Sequence, residues 1–273
     1  MKKIFLLSSL ATLLFARPVL TLLPYYTYTH YSDQFKKAAH TIGYYGALYN
    51  SPHLLELSAS YNTIVYRGNY PRYEQSEITT LYSYFFNSKL KIKGGFHFVA
   101  SDFREANEGL VTAIAGVDYH SPKKNLGLEL FHSRYKHYKP KPLTIWQIHP
   151  YLGYKFGSFG IRGDYNYIHA NNNTLYKRVL AHYHSFGLTL SKKWGRWTTS
   201  IGGWIGKRAF ALEDGGFTLY NLSQIYTSGI DAKVKYHTRK GADIALKYSR
   251  KNYKNGGKKG HSDALTSSFA YSW

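Results

Sequence analysis

Turn-forming residues cut this chain at nearly regular intervals, and the segments between them alternate. Clusters start at Ser51-Pro52, Asn87-Ser88, Ser121-Pro122, Gly157-Ser158, Lys193 to Gly195 and Lys240-Gly241, spaced 34 to 36 residues apart except for a last interval of 47. Within the intervals large apolar side chains fall on one parity and charged ones on the other. Side chains two apart share a face only on a strand, so this period excludes a helical stripe. An interval of this size holds two strands of about ten residues, a short turn and a longer loop, which makes the repeat a β-hairpin.

The parity is explicit in several segments. Ile230, Ala232, Val234 and Tyr236 oppose Asp231, Lys233, Lys235 and His237; Leu90, Ile92, Phe96 and Phe98 oppose Lys91, Lys93 and His97. Ile161, Tyr165 and Tyr167 oppose Arg162, Asp164 and Asn166, while Ile244, Leu246 and Tyr248 oppose Asp243, Lys247 and Ser249. Leu55, Leu57, Ala59 and Tyr61 oppose Glu56, Ser58, Ser60 and Asn62. Segments 78–86 and 197–206 are apolar or small on both faces, which leaves their orientation open. Hairpins at 20–50, 54–86, 90–120, 125–156, 159–191, 197–238 and 241–273 predict 14 strands, an even number. The alternative is 12, because Pro24 and the tight stretch Gln34 to Ala39 weaken the first hairpin.

Composition selects among alternating folds. Aromatic residues reach 18%, with 28 tyrosines, more than one soluble core needs and suited to the two interfaces of a membrane barrel. Mean hydropathy is -0.40, and no segment is long and apolar enough for a transmembrane helix, whereas a barrel turns only alternate residues to lipid. Lys2 and Lys3 precede the apolar run Ile4 to Phe15 and then Ala16, the layout of a Sec signal, with cleavage expected after Ala16. Residues 1–16 are therefore expected to be removed and 17–273 to form one barrel domain. The absence of cysteine excludes disulfides and thiolate chemistry.

Residues Leu265, Phe269, Tyr271 and Trp273 carry the alternation to the final aromatic. This ending resembles the terminal strand signal of Gram-negative outer-membrane β-barrels, with Phe269, Tyr271 and Trp273 as the residues read by the barrel assembly machinery. The resemblance is to small porins at the level of architecture. It implies an all-β antiparallel transmembrane barrel in the cell outer membrane, in contact with outer-membrane lipid, with short periplasmic turns and longer extracellular loops. A secreted β-sandwich would alternate as well, but signal, tyrosine load, hairpin repeat and terminal aromatic agree on the barrel.

A bore of about 14 strands is wider than the side-chain-filled eight-stranded barrels and narrower than porins of 16 to 18 strands. Its charged inner face predicts a narrow water-filled channel for passive diffusion of small hydrophilic solutes. Parity places Lys91, Lys93, His97, Lys155, Arg162, Lys233, Lys235 and Lys247 on that face with Glu56, Asp118, Glu129, Asp164, Asp231 and Asp243. The longer connections are expected at 67–77, 136–142, 169–182, 207–226 and 250–263. Basic stretches Arg134 to Lys141 and Lys251 to Lys259 would make the mouth positive and give a modest preference for anionic solutes. The connection Arg208 to Tyr226 contains the adjacent acids Glu213 and Asp214. These would narrow the pore if the loop folds inward; an external flap is the other reading.

Two other classes compete. A barrel hydrolase needs a nucleophile beside its base, but neighbours His184-Ser185 and His132-Ser133 point to opposite faces of a strand. His182 and His184 share a face and make an incomplete metal site, so neither a metal nor a cofactor is expected. A surface adhesin or receptor is the stronger alternative, using loops such as Tyr70-Pro71-Arg72-Tyr73 and Tyr135-Lys136-His137-Tyr138. No phosphate loop or nucleic-acid module is present, and the sequence names neither the solute nor the oligomeric state.

Overall fold

The alternating segments pair side by side until the last meets the first. In a computed structural model, which describes residues 18–102, 108–137, 142–171, 182–219, 224–239, 241–255 and 257–273, fourteen antiparallel strands form a closed barrel. They are β1 (Val19–Tyr31), β2 (Lys36–Asn50), β3 (His53–Tyr66), β4 (Tyr73–Phe85), β5 (Leu90–Ser101), β6 (Leu110–His120) and β7 (Lys124–Tyr135). The second half contains β8 (Leu143–Phe156), β9 (Phe159–Ala170), β10 (His182–Trp194), β11 (Trp197–Arg208), β14 (Ile225–His237), β15 (Ala242–Asn255) and β16 (Lys258–Ser272). The two-residue strands β12 (Leu212–Glu213) and β13 (Thr218–Leu219) form a separate small hairpin around a single 3-10 turn at Asp214–Gly216.

Closure satisfies the backbone where no water can. The β1–β16 seam joins Leu20 and Trp273 through reciprocal N–H···O bonds of 3.0 and 3.1 Å, so no edge is left in the wall. Pro24 has no N–H to contribute, and β1–β16 pairing skips from Leu22–Tyr271 to Tyr25–Ser268 around it. Outside the wall stand the apolar parity residues, among them Phe186 at 62% exposed and Ile201 at 62%. Such a surface is stable only against lipid.

The first hairpin is real because its connection, residues 32–35, is capped. The Asp33 carboxylate accepts the N–H of Phe35 at 2.9 Å and the Tyr253 hydroxyl at 2.7 Å, which lets four residues reverse the chain. The strand number is thus 14 and not 12. Several connections are shorter than expected. β4 begins at Tyr73, inside the expected loop 67–77, and β15 and β16 fill most of 250–263. An unexpected connection, which includes the described residues Asp102, Glu108 and Gly109, joins β5 to β6. The six turn clusters all lie at one end of the barrel and the longer connections at the other. The expected signal, 1–16, and most of the connection 169–182 lie outside the described residues.

Candidate functional site

The connection after β11 turns into the bore. β11 carries one residue more than β14 between Ile205 and Arg208, a bulge beside Gly206, whose φ of 123° suits glycine. From this bend Ala209, Phe210, Ala211 and Leu212 enter the barrel, each no more than 1% exposed. The first three meet inward-facing apolar side chains of β6 to β10, namely Leu110, Tyr135, Leu143, Ile145, Ile168 and Tyr183, while Leu212 packs with Leu81, Ile114 and Phe131. The Phe210 ring stands edge-on to Tyr135 at 5.4 Å. On β8, the buried Gln147 amide grips the Leu212 backbone twice, donating to its carbonyl at 2.6 Å and accepting its N–H at 2.8 Å. Gly216, with φ 101°, presses on β6 so closely that a Cβ would lie 2.4 Å from Ile114 Cδ1. Phe210 and Asp214 also have left-handed φ of 56° and 54°, a strain the surrounding contacts must hold.

Under this loop runs a relay of opposite charges. Lys93 on β5 bonds Glu129 on β7; Glu129 also takes His149 on β8 at 2.9 Å, and the other nitrogen of His149 is 3.6 Å from Asp164 on β9. Arg208 spans Asp164, at 3.6 Å, and Glu213, and Lys251 on β15 lies 3.9 Å from Glu213. Burial works against ionisation of Glu213, but the charges of Lys251 and Arg208 hold its carboxyl below the ordinary carboxylate value. A shorter branch nearer the turns pairs Lys91 with Asp118 at 2.9 Å, and Asp118 with the Tyr151 hydroxyl. Arg162 stacks on that Tyr151 ring at 3.9 Å. Buried charges of this kind persist only when paired and hydrogen-bonded.

Two cavities flank the loop. One of about 480 Å³ is lined by the relay together with Glu56, Asp231 and Lys247. A second, of about 150 Å³, lies toward the long connections among Tyr31, Tyr73, Glu77, Tyr226 and Ser262. Ser249 and Lys251 belong to both linings, so this stretch of β15, beside the Glu213–Lys251 pair, separates the two cavities.

Most residues assigned to the bore by parity do lie on the inner face, but not all line the same space. Lys91, Lys93, Arg162, Lys247, Glu56, Asp118, Glu129, Asp164 and Asp231 surround the larger cavity, joined by Glu213 and Asp214 from the loop. Lys155, Lys233, Lys235 and Asp243 sit nearer the turns, outside that lining, where Lys235 and His237 bond Asp243 at 3.2 and 2.7 Å. His97 is fully buried against Thr79 at 2.7 Å. Phe269, Tyr271 and Trp273 are exposed on the outer face. Sequence reasoning missed His149, Gln147 and Tyr151, and placed Arg208 and Lys251 in loops whereas both belong to the wall. Ser185 faces inward and accepts from Arg208 at 2.7 Å while His184 is exposed outside; Ser133 likewise faces inward, bonded to Thr112 at 2.8 Å.

No family model matches the chain, and no curated protein does so. Solved structures do. The CymD monoaromatic hydrocarbon channel superposes with a TM-score of 0.64 at 10% identity, over 94% of this chain and 89% of that one. The Ralstonia pickettii toluene transporter TbuX gives 0.59 at 8%, over 95% and 90%. A Pseudomonas aeruginosa FadL homologue gives 0.52 at 11%, over 96% and 91%. At these identities the likeness establishes the fold, a closed antiparallel barrel of the outer-membrane type.

Proposed function

We propose that this barrel is an outer-membrane channel for passive diffusion of small hydrophilic solutes, narrowed by the inward connection after β11. The observation that carries it is the pair of polar cavities on either side of the loop, which share Lys251 and Ser249 in their linings. A path lined by charged and hydroxyl groups replaces part of a solute's hydration at each step, whereas an aromatic hydrocarbon there would desolvate charges without pairing them. The hydrocarbon and toluene named for two neighbours therefore do not suit this bore. Lining the larger cavity are six Lys or Arg and seven Asp or Glu, so the centre is nearly balanced and selectivity falls to the two mouths. Lys155, Lys233 and Lys235 outnumber Asp243 toward the turns, and Lys254, Lys258 and Lys259 crowd the other end, which favours modest, salt-screened anion preference.

Single-channel recording of the refolded barrel in planar bilayers under a KCl gradient tests this. Stable steps with a chloride-biased reversal potential are expected. A barrel that is folded and heat-modifiable on gels yet never conducts would refute the channel and favour a surface-binding role.

A further inference from the structure

The outer wall of β7 to β10 carries a polar row where lipid contact would select apolar residues. Near the long connections, His132, Trp146, His169 and His182 are successive cross-strand partners, pairing His132 with Trp146, Trp146 with His169 and His169 with His182. Their rings touch, with centroids 4.2 Å apart for His132–Trp146 and 4.7 Å for His169–His182. His184 lies beneath, and Arg134 on β7 and Lys207 on β11 stand exposed at the two ends of the row.

Two of these imidazoles are oriented by tyrosines on the neighbouring strand. The Tyr167 hydroxyl meets Nδ1 of His182 at 2.8 Å, and that of Tyr165 meets Nδ1 of His184 at 2.6 Å. In the tautomer where Nδ1 takes the phenol proton, Nε2 carries its own hydrogen and is the donor left on each exposed ring; in the other, protonation of the ring supplies that donor. The other end of the same strands is different. There the outer face holds Tyr154, Phe156, Phe159, Trp194 and Trp197, and Lys192 folds over the Phe159 ring at 4.8 Å. A membrane with the same headgroups on both sides would select similar belts at both ends.

We propose that this face binds the phosphate groups of a phosphorylated glycolipid in the outer leaflet. Imidazoles stand on β7, β9 and β10, with a guanidinium on β7 and an ammonium on β11 about 19 Å apart at the strand spacing. That span suits a headgroup with more than one phosphate, each taking several donors. Trp146 supplies an amphipathic surface for the adjoining sugar or acyl linkage. The proposal is independent of whether the bore conducts.

Native mass spectrometry of the refolded barrel in detergent tests it, with bisphosphorylated lipid A and its dephosphorylated form as probes. The phosphorylated lipid should be retained at about tenfold lower concentration than the dephosphorylated one. The combined variant R134Q/H182Q/H184Q should lose that preference, whereas K192Q at the other belt should keep it. The single variant H182Q, expected to lose part of the preference, decides the matter if the combined variant does not refold. Equal retention of both lipids by the parent, or full preference in the refolded variants, overturns the proposal. Displacement of the lipid by millimolar inorganic phosphate also overturns it, because the site would then hold a free anion and not a headgroup.

Discussion

Substituting Gln147→Met should unseat the inward connection without opening the wall. The Gln147 side chain makes both of its bonds to the Leu212 backbone and none to the strand ladder, so the loop alone is affected. Methionine fills nearly the same volume and admits no water in place of the amide. The N–H and C=O of Leu212, a residue 1% exposed, would be left without these partners, at about 1 to 3 kcal/mol each. The total is roughly 2 to 6 kcal/mol, and since 1.4 kcal/mol is a tenfold change, the unseated fraction rises at least about thirtyfold. Single-channel recording should show larger conductance levels and more open-channel noise than the parent, while the heat-modified gel shift stays the same. If the folded variant gives traces indistinguishable from the parent, the seating of this loop does not set the aperture.

Gly216→Ala should give the same phenotype by a different route, because its Cβ would lie 2.4 Å from Ile114 Cδ1 at a φ of 101°. Combined with Gln147→Met it should add less than its separate effect, since both act through one unseating. Glu213→Gln removes a negative charge between Arg208 and Lys251 and should move the reversal potential further toward chloride, with Lys251→Gln moving it back. Because Glu213 ionises below its ordinary value of 4.5, its contribution to loop seating is complete above that pH and is lost as pH falls through the depressed value. Acid-induced flicker should therefore set in below pH 4.5 in the parent, and noise in Glu213→Gln should change little over the same range.

What the sequence reveals depends on whether lipid touches the segment. Ile230, Val234, Ile244 and Leu246 alternate with charge because one face meets hydrocarbon, and parity orients those strands correctly. β15 and β16 continue beyond that belt to Asn255 and from Lys258. There both faces meet water, alternation has no cause, and the basic run from Lys251 looks like a loop although Lys251 points into the bore. Nothing local marks His149, whose partners Glu129 and Asp164 come from strands on either side. One signal for the inward loop does exist in the sequence. Leu110, Leu143, Ile145 and Ile168 place apolar groups on inner parity, where an open aqueous bore would not select them.

The direction of the loop follows from two apolar surfaces that need each other. Phe210 and Leu212 would be exposed in an external flap, and the inner wall of β6 to β9 would be wet; docking buries both. Burial of the two side chains contributes about 1.5 to 3 kcal/mol each, while the left-handed backbone at Phe210 and Asp214 costs about 1 to 3 kcal/mol each. The apolar inner wall of β6 to β10 is covered in the same step, so burial favours the docked loop. The Gln147 clasp and the Arg208–Glu213–Lys251 contacts then fix where on that wall the loop sits, because apolar contact is non-directional and a pair of backbone bonds is not. The polar contacts of the bore thus serve both as its lining and as the fastening of the segment that narrows it.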